Sequence, residues 1–155
     1  MASTSTNKQP LLVDNVLHNV VNIDQAINNG IDIVGTNTAT LLVNAISSDG
    51  AIIEDIYAIA RGGTAYDVNL YISTANDYLR PNEATFVGTF KSGTGAGTRT
   101  SWDDMPFTLV PVPQTGTESR NRAFYVPRNR ALWVARNSNS NVTDGPIIGA
   151  QGGYY

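Results

Sequence analysis

Few residue types in this 155-residue chain could do covalent or metal chemistry. The chain has no Cys, which excludes a thiolate nucleophile, a disulfide framework and a cysteine metal site. Its single His, His18, excludes a His-cluster metal site and argues against a catalytic triad, so we interpret it as an ordinary surface or packing residue. We therefore predict that the protein is not an enzyme and that it uses no metal and no cofactor.

Two loop segments resemble ligand-binding motifs in composition only. Segment 93–97 reads Gly-Thr-Gly-Ala-Gly, without the glycine spacing of a dinucleotide fingerprint or the Gly-Lys-Ser/Thr ending of a P-loop. We interpret it as a mobile surface loop. Segment 137–145 contains one carboxylate, Asp144, where a calcium loop needs several. We predict a polar turn there.

Trp102, Asp103 and Asp104 have the residue types of a sugar-binding platform. Adjacent residues of a strand point to opposite faces, so the two carboxylates could act together only from a loop. A glycoside hydrolase also needs an acid and base pair, often with Glu, and the whole chain has three Glu. We favour a Trp packed beneath a loop with solvated aspartates, and glycan binding is the alternative.

Arginines and large aromatic residues are concentrated between residues 120 and 136. These residue types are enriched at the energetic centres of protein interfaces. If Leu132 and Val134 face the core, alternation along a strand turns Trp133 outward. We predict a contact patch in this region and add the two C-terminal tyrosines to it. The candidate interaction residues are Arg120, Arg122, Arg128, Arg130, Trp133, Arg136, Tyr154 and Tyr155.

The charge of the chain is small and unevenly distributed. A formal net charge of -3 argues against nucleic acid as a partner. Residues 1–60 carry a net charge of -5, whereas residues 96–155 carry +2. Such a polarity would favour head-to-tail contacts between copies, or docking on an acidic surface. The alternative is that these charges lie on ordinary solvated faces.

The composition and the turn signals predict an all-β fold. Charged residues make up 15% of the chain, and Asn, Thr, Ser and Gly take their place. About eight strand-like segments follow Thr38 at roughly ten-residue spacing. We predict a single antiparallel β-sandwich over residues 38–155, jelly-roll-like, with about eight strands. Residues 1–37 are predicted to form an N-terminal arm, partly extended or disordered, in which 13–27 is a strand or extended segment rather than a helix.

The apolar patterns predict which faces of individual strands are buried. Between 51 and 61 the alternation places Ile52 and Ile56 on one face and Ile53 and Tyr57 on the other, and Glu54 interrupts the first set. Segment 67–73 is predicted to be half-buried, with alternate apolar residues inward. A further strand is predicted at 107–112, near a sheet edge because prolines end it.

No window approaches the roughly 18 consecutive apolar residues of a membrane helix, and the first residues lack the order of a secretory signal. We therefore expect no membrane partner. The protein is expected to act where it is made, or in something assembled there.

Five features of the chain together carry a family resemblance. They are the polar N-terminal segment, segment 41–56, segment 66–72, segment 125–134 and the terminal Gly-Gly-Tyr-Tyr. In this arrangement the chain after Thr38 resembles the small β-sandwich decoration, or cement, proteins that tailed bacteriophages carry on their capsids. The resemblance implies a homotrimer on the capsid exterior, assembled in the host cytoplasm, with no catalysis and no cofactor.

The function expected from these features is that of a virion structural protein, which stabilises a capsid by bridging subunits of the major capsid protein. An alternative is a tail or baseplate component, or a carbohydrate-binding β-sandwich module, that contacts the host surface. Trp102, Trp133 and the tyrosines motivate that alternative. An enzyme with an unfamiliar site is a third hypothesis.

Overall fold

A computed structural model describes residues 15–35, 38–102 and 123–155. This part of the chain contains nine strands and no helix, and therefore no helix that is long and apolar enough to cross a membrane. The strands are β1 (Asn15–Asn22), β2 (Thr40–Asn44), β3 (Gly50–Ile59), β4 (Asp67–Ser73), β5 (Thr85–Lys91), β6 (Arg99–Ser101), β7 (Phe124–Pro127), β8 (Ala131–Arg136) and β9 (Ile147–Tyr154). The all-β prediction is confirmed.

The strands form two antiparallel sheets packed face to face. The first sheet has the order β1-β9-β3-β6, with β7 also paired to β3, and the second has the order β2-β8-β4-β5. Consecutive strands thus alternate between the sheets over most of the chain, and the last two strands insert beside the earliest ones. This connectivity is that of an eight-stranded jelly roll, so the jelly-roll-like sandwich is also confirmed.

The ninth strand arises because one edge position is shared by two short strands. Tyr57 of β3 pairs with Ser101 of β6, and Ile53 of β3 pairs with Phe124 of β7. Both short strands run antiparallel to β3 on the same edge, where β6 ends at Ser101 and β7 begins at Phe124. The predicted strand at 107–112 lies outside the described residues.

The sandwich begins earlier in the chain than the sequence predicted. β1 pairs with β9 over its whole length, from Asn15 opposite Tyr154 to Asn22 opposite Ile147. Leu17 and Ile23 are fully buried in the core between the sheets. The expectation of a strand rather than a helix in this region is confirmed, but the boundary at residue 38 is wrong. Residues 1–14 lie outside the described part.

The core lies between the two sheets and takes inward side chains from both. Trp102 lies there, stacked on Phe90 at 5.9 Å between ring centroids and tilted against Phe124 at 6.4 Å. Gly88 makes room for the indole, because a Cβ at that position would lie 2.6 Å from the ring. Other members include Leu42, Ile56, Leu70, Leu132 and Ile148.

The outer face of the second sheet is covered by loops. Tyr71 and Trp133 point to this face, where Ile33 and Leu79 from the two neighbouring loop segments pack on them. Asn28 holds one of these loops in place by donating from Nδ2 to the carbonyl of Asp32 at 2.8 Å and to the Tyr71 hydroxyl at 2.9 Å. The prediction that segment 67–73 is half-buried is therefore wrong, because both of its faces are covered.

The faces of β3 change phase at a β-bulge. Ile53 pairs with Gly152 and Asp55 with Gln151, which leaves Glu54 as the extra residue. An extra residue reverses the alternation, so Ile53 and Ile56 both point into the core although they are three positions apart. The predicted groupings of Ile53 with Tyr57 and of Ile52 with Ile56 are therefore wrong.

Candidate interaction surface

Four of the predicted interaction residues meet at one end of the sandwich. We call this surface the Tyr–Arg end. It comprises Tyr125, Arg128, Arg130, Tyr154 and Tyr155. Three backbone elements form it: the β2–β3 turn, the β7–β8 turn and the C-terminal residues after β9.

Backbone hydrogen bonds tie these three elements together. The amide of Asp49 donates to the carbonyl of Tyr155 at 2.9 Å, and the amide of Tyr155 donates to the carbonyl of Gly50 at 3.1 Å. The amide of Ala45 donates to the carbonyl of Arg130 at 3.0 Å. The C-terminus is thereby held beside the β2–β3 turn, and the Tyr–Arg end is built on fixed backbone rather than on separate loops.

The turn between β7 and β8 has a local sequence reason. The amide of Arg130 donates to the carbonyl of Pro127 at 3.2 Å, which closes a four-residue turn. Asn129 has a φ of 60°, the left-handed conformation that Asn tolerates better than most residues. Arg128 and Arg130 therefore flank an Asn in the tight turn that connects β7 of the first sheet to β8 of the second.

Tyr125 packs over the β2–β3 turn. Its hydroxyl donates to the carbonyl of Asp49 at 3.3 Å, and its ring covers Gly50. Gly50 has a φ of 132°, in the region that favours glycine. The Asp-Gly pair that marked this turn in the sequence thus also provides the site where the tyrosine lies.

The tyrosines at this end are partly withdrawn from water. Burial raises the pKa of Tyr155, and the nearby Tyr125 and Glu54 add to that effect. Burial also raises the pKa of Tyr154, against hydrogen bonds to Asn44 and Asn19 that lower it. The raised pKa keeps both phenols neutral at physiological pH, and the Tyr154 side chain packs against the core between the sheets.

Arg128 lies at the exposed rim of this surface. Its guanidinium lies 3.6 Å from an Asp49 carboxylate oxygen, and its side chain is 69% exposed. An ion pair as exposed as this contributes little to stability. Both charges therefore remain available to a partner of mixed charge.

The predicted accessibility of Trp133 to a partner is wrong. Its side chain does point to the outer face of the second sheet, but loops cover that face and leave the residue 3% exposed. The indole Nε1 donates to the carbonyl of Ala75, 3.1 Å away, in the covering loop. Trp133 anchors this loop and is not accessible to a partner.

Arg136 is also buried, with 0% of its surface exposed. Its Nη2 donates to the carbonyls of Asp24 at 2.9 Å and Ser140 at 2.7 Å, and its guanidinium lies over the Tyr66 ring at 5.0 Å. Arg136 therefore joins two loops at the end of the sandwich opposite the Tyr–Arg end, and its predicted place in a surface patch is wrong. Arg120 and Arg122 lie outside the described residues.

The tryptophan of the proposed sugar platform is buried as well. Trp102 is 4% exposed and packs in the core, which corrects the platform interpretation and places the residue deeper than beneath a loop. Asp103 and Asp104 lie outside the described residues. Neither tryptophan of the chain can stack on a sugar at the surface of this fold.

The two loop segments are at the surface, as predicted. The amide of Gly95 donates to the carbonyl of Gly62 at 3.0 Å, and the amide of Gly97 donates to the carbonyl of Ala60 at 2.8 Å. The mobility of the glycine-rich loop stays a prediction. In segment 137–145, Asp144 accepts a hydrogen bond from the Tyr66 hydroxyl at 2.8 Å. Across residues 15–35, 38–102 and 123–155 no group of three His, Asp or Glu side chains is placed to hold a metal ion.

A polar cluster that the sequence patterns did not indicate lies on the open outer face of the first sheet. His18 Nε2 lies 3.1 Å from the Tyr57 hydroxyl, and the Arg99 guanidinium stacks on the Tyr57 ring at 3.9 Å from its centroid. Arg99 is also ion-paired with Asp55. A possible signal was the alternation that put Asp55 and Tyr57 on the same face of β3.

Three acidic residues from the first part of the chain form ion pairs with arginines in the described structure. Asp24, Asp49 and Asp55, from the acidic first part of the chain, each pair with an arginine from a later segment. The distances are 2.7 Å to Arg61 and 3.6 Å to Arg128, and the third partner is Arg99. Within the described residues these three carboxylates therefore have an opposite charge beside them, and the head-to-tail attraction expected from the sequence stays a prediction.

Comparisons of the chain with protein-family models, with curated protein sequences and with solved structures found no match. The resemblance to capsid decoration proteins therefore stays a prediction.

Proposed function

We propose that this protein is a virion structural protein that decorates a tailed-bacteriophage capsid and stabilises it by bridging subunits of the major capsid protein. The Tyr–Arg end carries the proposal. It presents tyrosine side chains at one end of a two-sheet scaffold. Beside them lie the charges of Arg128 and Asp49, whose exposed ion pair a partner can replace. Tyr and Arg are the residue types that dominate the energy of protein interfaces.

The way this surface is built suits binding rather than chemistry. Backbone bonds between Asp49, Gly50 and Tyr155 hold its loops before any partner arrives. A surface ordered in advance loses less conformational entropy on binding, so more of the contact energy appears as affinity. The mixed charges of Arg128 and Asp49 would pair with a protein surface of both signs.

Binding of this kind stabilises a capsid without a reaction. A ligand that binds only the assembled shell shifts the assembly equilibrium by mass action, by roughly 2.7 kcal/mol per site at a hundred times the dissociation constant. Because a capsid has many equivalent binding positions, a modest stabilisation at each position adds up to a large stabilisation of the whole shell. The family resemblance adds two parts to this proposal, a homotrimeric state and a location on the capsid exterior. The major capsid protein is the proposed partner.

The carbohydrate-binding alternative has lost the two tryptophans that, together with the tyrosines, motivated it. Trp102 and Trp133 are 4% and 3% exposed, so neither offers a stacking surface to a glycan. A tail or baseplate protein would bind its neighbours through the same Tyr–Arg end, as a capsid decoration protein would. We therefore propose capsid decoration alone.

The proposal is tested by mixing the purified protein with capsids assembled without it from the major capsid protein of the same genome. We expect cosedimentation and an increase in the temperature at which the capsids release their contents. Arg128→Ala and Tyr155→Ala are each expected to weaken binding by about tenfold, which is the effect of losing roughly 1.4 kcal/mol of contact energy.

Lys91→Ala is the matched control. Lys91 is 67% exposed and lies 3.7 Å from Asp67 at the opposite end of the sandwich, so it repeats the exposure and pairing of Arg128 away from the proposed surface. Its binding should equal that of the wild type. Absence of cosedimentation contradicts the capsid function, and binding that neither Arg128→Ala nor Tyr155→Ala weakens contradicts the assignment to the Tyr–Arg end.

A further inference from the structure

β1 is an edge strand without the usual protection against pairing with another chain. Within the described residues β9 is the only strand that pairs with it. Its sequence, Asn-Val-Leu-His-Asn-Val-Val-Asn, contains no Lys, Arg, Asp, Glu or Pro. Edge strands normally carry such residues, or a bulge, or are very short, because their free backbone groups are a template for a further strand.

The other edge strands of the described part have these protective features. β2 has five residues and a bulge at Leu42, and β5 has a bulge at Val87 and ends on Lys91. β6 has three residues, and β7 has four and ends on Pro127. β1, with eight residues, is the longest edge strand and the only one of the five without a charge, a proline or a bulge.

The outward side chains of β1 are apolar at two positions. Val16 is 82% exposed and Val20 is 51% exposed, and they lie on either side of His18 on the open face of the first sheet. Large apolar side chains on a strand with a free edge mark an interaction site rather than ordinary surface.

We infer that a second copy of this chain docks on that edge, β1 against β1, in an antiparallel pair with a two-fold axis at His18. With the axis at His18, each residue of β1 lies opposite a residue of the partner's β1. The two side chains of such a pair point to the same side of the sheet, as antiparallel pairing requires. Val16 then lies opposite Val20 of the partner subunit on one side of the axis, and the reciprocal pair forms on the other.

This register is favoured over its neighbours by the side chains that it matches. An axis at Asn19 would place Val16 opposite an Asn and Val20 opposite a His. An axis at His18 forms two Val–Val pairs, and apolar cross-strand pairs are the unit of sheet stabilisation. Apart from the His18 pair on the axis, it brings no ionisable groups together.

The contact makes one continuous antiparallel sheet across two copies, by the same backbone pairing that adds peptide strands to sheet edges. Because the same patch is used twice, the interface is isologous and gives even-numbered assemblies. It does not depend on capsid binding, and it could join two trimers of the proposed decoration protein.

The test is sedimentation of the full-length protein from about 1 µM to about 300 µM, a range that covers weak self-association. We expect the wild type to form a dimer, or another even-numbered assembly. Val16→Lys and Val20→Lys should each weaken the association by about tenfold, because each places two lysines opposite apolar side chains. Val34→Lys is the matched control: Val34 is 72% exposed, lies on a loop over the other sheet, and should leave the assembly unchanged.

A charge-pair experiment tests the register itself. A mixture of Val16→Lys and Val20→Glu chains should form a mixed dimer in which the new lysine faces the new glutamate. A mixture of Val16→Lys and Val16→Glu chains should not, because those positions are not opposite each other. Circular dichroism and thermal unfolding check that each variant is folded. The inference is overturned if the wild type stays monomeric. It is also overturned if the wild type assembles but neither Val16→Lys nor Val20→Lys weakens the assembly.

Discussion

The ring of Tyr125 lies directly on Gly50, so close that a Cβ at position 50 would come within 2.6 Å of the tyrosine oxygen. The same glycine has a φ of 132°. One position therefore meets two requirements at once, the backbone conformation of the β2–β3 turn and the space beneath an aromatic ring. The Tyr–Arg end depends on both.

Gly50→Ala is expected to lower the free energy of unfolding by roughly 1–3 kcal/mol, because the methyl group is strained at this φ and displaces Tyr125. Urea unfolding measures the change. Gly63→Ala is the control, since a Cβ there meets nothing within 4 Å, and it should change stability by less than about 0.5 kcal/mol. Equal effects of the two variants would contradict the packing of Tyr125 on Gly50.

Arg136→Ala is expected to cost about 3 kcal/mol of stability. The substitution leaves the carbonyls of Asp24 and Ser140 without their donor in a buried site and opens a cavity beside Tyr66. Arg128→Ala should change stability by less than about 0.5 kcal/mol, because its ion pair is exposed. Thermal unfolding compares the two arginines, and a similar small effect of both would mean that Arg136 is not a structural residue.

The fluorescence of the protein should report two buried tryptophans. Trp102 and Trp133 are almost fully enclosed, so we expect blue-shifted emission and weak quenching by acrylamide in the native state. Unfolding in urea should shift the emission to the red and restore quenching. Strong quenching of the native protein would show that at least one indole is accessible, and would reopen the sugar-stacking hypothesis.

Stability is expected to fall in alkali because of buried tyrosines. Burial raises the pKa of Tyr71 above its ordinary value of 10.0, and the nearby Asp32 adds to that effect, against hydrogen bonds from Asn28 and Asn69. A phenol whose pKa is higher in the folded state stabilises the fold below the unfolded pKa, and this contribution is lost as the pH rises through the folded value.

Tyr71→Phe tests this cause. At neutral pH the variant should be less stable by about 1 kcal/mol, because Asn28 loses its hydroxyl acceptor. Between about pH 8 and about pH 11, however, its Tm should fall by about 2–4 °C less than that of the wild type. Thermal unfolding across this range is the measurement. An identical alkaline fall in both proteins would assign it to other groups.

The sequence alone was enough to determine the type of fold. Low charge, β-branched runs and turn residues such as Asp49-Gly50 predicted an antiparallel sandwich, because those signals are local to the chain. The arginines and aromatic residues predicted an interaction surface that includes Arg128, Arg130 and the terminal tyrosines. That role stays a prediction, and the sequence could not show that these residues lie at one end of the sandwich.

Only the tertiary structure decided what lies against each face. Alternation correctly turned Trp133 away from the core between the sheets, but a period of two says nothing about a loop that returns from elsewhere to cover the second face. The bulge at Glu54 reversed the phase of β3, which one broken position in the pattern could not specify. β1 joined the sandwich for a similar reason: its place was set by pairing with β9, more than a hundred residues away in the chain, rather than by its own propensity.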